Sequence, residues 1–370
     1  MPIFYVIILS VPLLFTILRE RVGKGYEVID TLSIIFTSIL LSLRENTGAD
    51  LLTYKQNYYM HMNNNFVGGD FSEPGYLLAV KVFSALKIPF TVFLFLIAAF
   101  SLFALYYYLE NSKLDNKVMP LYIYFTIFDL YVYSLSAIRQ GIAISFLLIS
   151  LVKFNRKQYF RSIIIIVLGT MFHWSVIIMI PMIFLLNAVK RVRGIVILGL
   201  TVLIPILYFI GVNSPIIEII AKFNYNTNYY LNILANERTT NIKSFIWSFI
   251  LAIIWSLYLI FFRSIEVDGT VTLWKTDVVR QYVELDYNDW CVIIFLILRS
   301  CLDIYYISAL PRVEMYFYLM LPFTLEKEVE KTKGKVRAFI YVLLAFAFAI
   351  SFYVRLHMNW EFYGSARFVF

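Results

Sequence analysis

The chain has 370 residues, of which 61% are hydrophobic and only 15% charged, with a formal net charge of +8 and a mean hydropathy of +0.76. That balance excludes an ordinary soluble domain. The 32 Lys and Arg residues are scattered over short loops, which argues for membrane topology and against a nucleic-acid-binding surface. The two cysteines, Cys291 and Cys301, lie in one apolar run, about 15 Å apart along a helix axis and too far apart to pair.

Apolar runs long enough for a bilayer recur throughout, so the expected fold is all-α: one integral-membrane domain over 1–370, a polytopic transmembrane helix bundle. About twelve crossings are expected, near 2–18, 28–43, 89–109, 119–138, 140–154, 162–172, 175–187, 195–212, 244–262, 290–310, 312–325 and 338–356. The first run begins without a basic leader or a small-residue cleavage site and is expected to be a retained span. Alternating the crossings places most Lys and Arg residues on one side, among them Lys153, Arg156, Lys157 and Arg161. By the positive-inside rule that side is cytoplasmic, and both termini face outward. The cytoplasmic loop 263–289 is rich in acidic residues, which weigh little in that rule.

The outward side receives loops 44–74 and 213–243, the Arg312 turn, the C-terminal tail, and all three histidines, His61, His173 and His357. Segment 75–88 is too short and too basic to cross and is expected to lie as a helix in the interface. The runs after Arg139, before His173 and after Arg312 are short for a bilayer, so short broken hairpins and a sunken, outward-facing polar cavity are expected.

Arg139 with Gln140, and His173 between Phe172 and Trp174, form the tips of neighbouring apolar runs and point to the same side. Each has a plainer account: Arg139 as a snorkelling helix end, His173 as part of an interfacial aromatic belt, Arg312 as a cation that stops its helix from sinking. Arg299 and Asp303, four residues apart, are expected to neutralise each other inside the bundle, and Asp129 has no partner nearby in sequence. Asp50, Asp70, Glu73 and Glu237 are ordinary loop acids when taken singly. Together these residues place cations, acids and aromatics at an outward site open to the lipid–water boundary, which suits a lipid-bound anion with a polar head. No Cys/His cluster has metal-ligand spacing, and there is no Gly-rich phosphate loop.

Four stretches, in order, resemble the EpsG/Wzy-type family of polysaccharide polymerases. They are Arg44-Glu-Asn-Thr-Gly-Ala-Asp50 with Tyr54; Glu73-Pro-Gly-Tyr76; Ser136-Ala-Ile-Arg139-Gln140-Gly141 followed by Phe172-His173-Trp-Ser175; and Arg312 with Tyr316-Phe-Tyr318 ahead of Leu321-Pro322. The sequence departs from the family's pattern in its tail, which stops at Phe370 where members often continue into a Pro/aromatic ending.

The resemblance implies a multi-pass glycosyltransferase of the bacterial cytoplasmic membrane, GT-C-like in the broad sense, with its site facing the periplasm or exterior. It would polymerise oligosaccharide repeat units carried on undecaprenyl pyrophosphate, as both donor and acceptor, into O-antigen, capsule or exopolysaccharide, without a metal ion or other cofactor. A chain-length-regulating membrane protein and a flippase are the further partners it implies. Arg139, Arg312 and Arg44 are then expected to hold the pyrophosphate, whose oxygens suit guanidinium forks. His173 is the first candidate for general base, with Glu73 or Asp50 second, and Gln140, Arg238 and Glu237 orient substrate. Two alternatives keep the same lipid: a lipid-linked glycan ligase, and a flippase or transporter, which would place its site at mid-depth between internal repeats.

Overall fold

The computed structural model describes residues 3–22, 25–45, 47–63, 73–212, 242–268, 282–304 and 310–368. Glu237 and Arg238 lie outside the described residues, as do Asp70 and most of the loop 213–243.

The chain is all-α, with two short strand pairings among the described residues. Among the described residues five helices are long and apolar enough to cross a membrane: Ile3–Val22 (α1), Phe90–Asn111 (α5), Ile138–Asn155 (α8), Lys243–Phe262 within Ile242–Asp268 (α12), and Gly334–Met358 (α16). It is a multi-pass membrane protein. Several other apolar runs form shorter pieces. The run 119–138 is split into Val118–Thr126 (α6) and Val132–Ser136 (α7), and 312–325 into Leu310–Tyr318 (α14) and Leu321–Glu330 (α15).

Two compact units are distinguishable. The first comprises Met1–Ile180 and Pro322–Phe370. Its helices α1, Tyr26–Ser42 (α2), α5, α8 and Tyr159–Thr170 (α9) pack in sequence order, α1 on α2, α2 on α5, α5 on α8 and α8 on α9. One end is closed by charge: Arg19, buried near the end of α1, pairs with Asp30 of α2 at 3.0 Å and with Glu110 at the end of α5, which also receives Lys117 at 3.3 Å. Each carboxylate compensates a cation that apolar surroundings would otherwise expel.

The opposite end holds the irregular pieces. Ala49–Met62 (α3) and Pro74–Ala85 (α4) pack there against each other, and Leu51, Tyr54, Tyr58, Tyr76, Phe90 and Phe93 join their buried faces to α5. The C-terminal tail closes this end. Strand Arg367–Phe368 (β4) runs antiparallel to Arg44–Glu45 (β1), Arg367 pairs with Glu45, and Tyr5 of α1 donates to the Tyr363 carbonyl at 2.8 Å. The tail, expected on the outward side, is thus part of the first unit's structure.

The second unit, Pro181–Leu321, contains Gly194–Val212 (α11), α12, Tyr287–Ile304 (α13) and α14, with α13 packed against all three others. Within it Arg191–Arg193 (β2) pairs antiparallel with Tyr282–Glu284 (β3). Arg299, expected to neutralise Asp303, reaches Glu314 of α14 at 2.7 Å, and Glu314 is buried. Asp129 of the first unit, without a local partner in sequence, lies 4.0 Å from Arg355 of α16.

Candidate functional site

Glu73, Arg139 and His173 meet in the first unit. Glu73 is buried and bridges the other two: Arg139 Nη1 donates to Glu73 Oε2, and His173 Nδ1 lies 3.3 Å from Glu73 Oε1. Arg139 Nε donates to the Tyr54 hydroxyl at 3.0 Å, and its guanidinium stands over the Tyr54 ring at 5.7 Å. Burial raises the Tyr54 phenol above its ordinary range against the opposing pull of Arg139, so it stays protonated. His173 Nε2 is buried and makes no hydrogen bond among the described residues. Beside it Trp174 is 53% exposed.

Local sequence accounts for each position. Ala137 adopts φ −82°, ψ 62°, the dihedrals of the inverse-γ region, which break α7 from α8 and set Arg139 in the first turn of α8. A cation there opposes the helix dipole, so the Glu73 carboxylate compensates both. Glu73 is extended, as a residue before proline prefers, and Pro74 opens α4 at its first position. Gly75 then donates to the Met171 carbonyl at 2.8 Å, docking the start of α4 on the end of α9 and bringing Glu73 to His173. A Cβ on Gly75 would lie 2.9 Å from that carbonyl oxygen and 2.7 Å from Met171 Cβ. Backbone cannot yield as a flexible side chain does. Gly75→Ala is therefore expected to destabilise the protein by about 1–3 kcal/mol, the range of an overpacked site, and to displace Glu73. Thermal unfolding in detergent checks this against Gly199→Ala, whose Cβ meets nothing within 4 Å.

The other residues singled out by sequence are placed differently. Gln140 is buried beside Arg139 in the first turn of α8. Asp50 is exposed at the start of α3, and its amide lies 3.4 Å from the Ser136 hydroxyl. The pairing is tight because Gly48, at φ 79°, has no Cβ to strike Ser136. Arg44, expected as a pyrophosphate ligand, is buried and has other partners: Nη1 donates to the Leu41 carbonyl at 2.5 Å and Nη2 to the Leu135 carbonyl at 3.1 Å. It thereby caps the ends of α2 and α7, where helix dipoles favour a cation. Burial lowers the guanidinium pKa to about 10, which leaves it charged at neutral pH. Arg312 belongs to the second unit, near the start of α14. Among the described residues no three His, Cys, Asp or Glu side chains converge as a metal site requires.

In the sequence Tyr54 is marked as part of a motif and not as the partner of Arg139. Its spacing from Tyr58, four residues on, was the available signal, since both fall on the face of α3 that packs inward.

The sequence matches the family described as the EpsG family over residues 27–363. No curated protein and no solved structure is significantly similar to it.

Proposed function

The chain belongs to the EpsG family, a family implicated in exopolysaccharide biosynthesis, and on that premise we propose that it is a membrane glycosyltransferase joining lipid-linked oligosaccharide repeat units. The observation that carries the reading is the bridge made by Glu73 between Arg139 and His173, beside the exposed Trp174. A phosphate-binding cation and a general base with an unengaged nitrogen stand there on one carboxylate.

In the proposed reaction the donor is a glycan on undecaprenyl pyrophosphate and the acceptor a second lipid-linked repeat unit. The Glu73 carboxylate accepts from His173 Nδ1–H, which fixes the tautomer and leaves the Nε2 lone pair to take the proton of the acceptor hydroxyl. The hydroxyl oxygen bonds to the anomeric carbon as the bond from that carbon to the pyrophosphate oxygen breaks. Charge grows on the departing lipid pyrophosphate, and Arg139, helped by the amino end of α8, stabilises it. The pyrophosphate competes with Glu73 for Arg139, and Glu73 remains with the histidine and stabilises its protonated form. Arg44 supports the site indirectly, by fixing the Leu135 carbonyl just before the Ala137 turn. Gln140 orients the substrate next to Arg139. The parts proposed for Arg312, Arg238 and Glu237 rest on their place in the sequence. The reaction faces the periplasm or exterior in a bundle of about twelve crossings, beneath a polar cavity that admits the lipid-bound substrate.

The test is to incubate the purified protein in nanodiscs with one lipid-linked repeat unit. A ladder of products is expected. Transfer only to an added foreign acceptor would make the protein a ligase, and no transfer at all would overturn the reading.

A further inference from the structure

Helix α3 has a second face that the Glu73–Arg139–His173 cluster does not use. Tyr54 and Tyr58 turn into the core, while Leu52, Lys55, Gln56, Tyr59 and Asn63 recur at helical spacing on the other side. Two concavities lie along that side. One, of about 220 Å³, runs between α3, the end of α2 and the start of α5, over a floor of buried Leu51, Phe90 and Leu94. The other, of about 370 Å³, is more open and reaches Gln56 and Asn63. They share Leu52, Lys55 and Tyr59, so they form one groove of a size that accommodates small organic ligands.

Its chemistry is mixed. Tyr59 is 37% exposed, and its ring is held edge-on by Tyr58 at 5.9 Å and tilted against Phe90 at 6.4 Å, so the platform is ordered in advance. Glu45 stands on the rim between Lys55 at 3.5 Å and Arg367 at 3.0 Å. Arg367 holds the Glu45 carboxyl below the usual carboxylate range, so this charged rim persists at neutral pH. An apolar floor alone would suit an acyl chain. A fixed aromatic face combined with two amides, a carboxylate and two cations suits a ligand presenting C–H faces and many hydroxyls.

The geometry points to this groove as the binding site for the oligosaccharide portion of the substrate, separate from the site of the pyrophosphate; we propose it on the strength of the glycosyltransferase reading. Both lie on α3, but on opposite faces of it. Tyr54, which holds Arg139, is on the inward face, and Tyr59, five residues after Tyr54 and about 7.5 Å along the axis, is on the groove face.

Two probes test this on the full-length protein in nanodiscs. One is the free repeat-unit oligosaccharide cut from the host's own polysaccharide, and the other is undecaprenyl pyrophosphate without sugar. Saturation-transfer NMR should show the free oligosaccharide bound by the wild type. Tyr59→Ala should weaken that binding at least tenfold, Gln56→Ala should weaken it less, and Tyr59→Phe should retain it. Undecaprenyl pyrophosphate should bind all four proteins equally, which also reports that the variants are folded. In elongation assays Tyr59→Ala should raise KM for the repeat unit with little change in kcat. Oligosaccharide binding that is absent in the wild type or untouched by Tyr59→Ala would overturn the groove. If undecaprenyl pyrophosphate binds while the oligosaccharide does not, the groove falls and the glycosyltransferase reading stands. If the oligosaccharide binds at Tyr59 but the lipid pyrophosphate does not bind and no elongation occurs, that reading falls and the groove remains as a glycan site.

Discussion

Replacing His173 by alanine is expected to lower chain elongation by about 10²–10⁴-fold, the range that a positioned general base supplies. Substrate binding should change little, because the acceptor hydroxyl gives up its proton only in the transition state. Glu73→Gln separates the base from the group that orients it. The amide oxygen can still accept from Nδ1–H, but the charge that would stabilise a histidine holding the acceptor's proton is gone, and Arg139 loses its anion. An intermediate loss of turnover and a lower unfolding temperature are expected for Glu73→Gln. The double variant should be no worse than His173→Ala alone, since residues acting as one unit do not add. Near-normal turnover by His173→Ala with a dead Glu73→Gln would transfer the role of base to Glu73.

That arrangement shows where sequence is informative and where it is not. Apolar length and composition identify a multi-pass membrane bundle directly, because the bilayer imposes one dominant period on the chain. The broken pieces α6–α7 and α14–α15 follow from runs interrupted by proline and polar residues, although the breaks carry no length signal of their own. The stretches holding Glu73, Arg139 and His173 each attract notice. The bond from Arg139 to Glu73 spans 66 residues and that from His173 to Glu73 spans 100, and periodicity does not encode which distant faces meet. Gly75 sets that meeting through a backbone contact that no hydropathy pattern records. Arg44 is a related case. An arginine at the head of a polar loop reads as exposed, but two helix ends leave carbonyls that need a donor, and its guanidinium turns inward to them. Arg299 and Asp129 likewise reach partners on other helices, Glu314 and Arg355, which local spacing does not encode.

Substitutions at Arg139 test whether it holds the pyrophosphate, as proposed. Its planar head serves two partners at once, Nε to Tyr54 and Nη1 to Glu73, from the first turn of α8. A lysine there keeps the charge, and with it most of the attraction for a lipid pyrophosphate in its ground state. It loses the fork, so it cannot hold Tyr54 and a phosphate oxygen in fixed relation as the leaving group gains charge. Arg139→Lys is therefore expected to bind undecaprenyl pyrophosphate within a fewfold of wild type while turnover falls about 10²-fold or more, as when a preorganised transition-state donor is removed. Arg139→Ala should lose both, and should also leave the Glu73 carboxylate buried beside His173 without its cation. The cost of such a broken pair is about 3–5 kcal/mol, so equal protein abundance and an unfolding scan must accompany the assay. Elongation alongside binding of undecaprenyl pyrophosphate in nanodiscs provides the measurement. Near-normal elongation by Arg139→Lys would reject the forked contact. If Arg139→Ala elongates normally, the pyrophosphate is held elsewhere, and the bridge through Glu73 serves only to join α4 to α8.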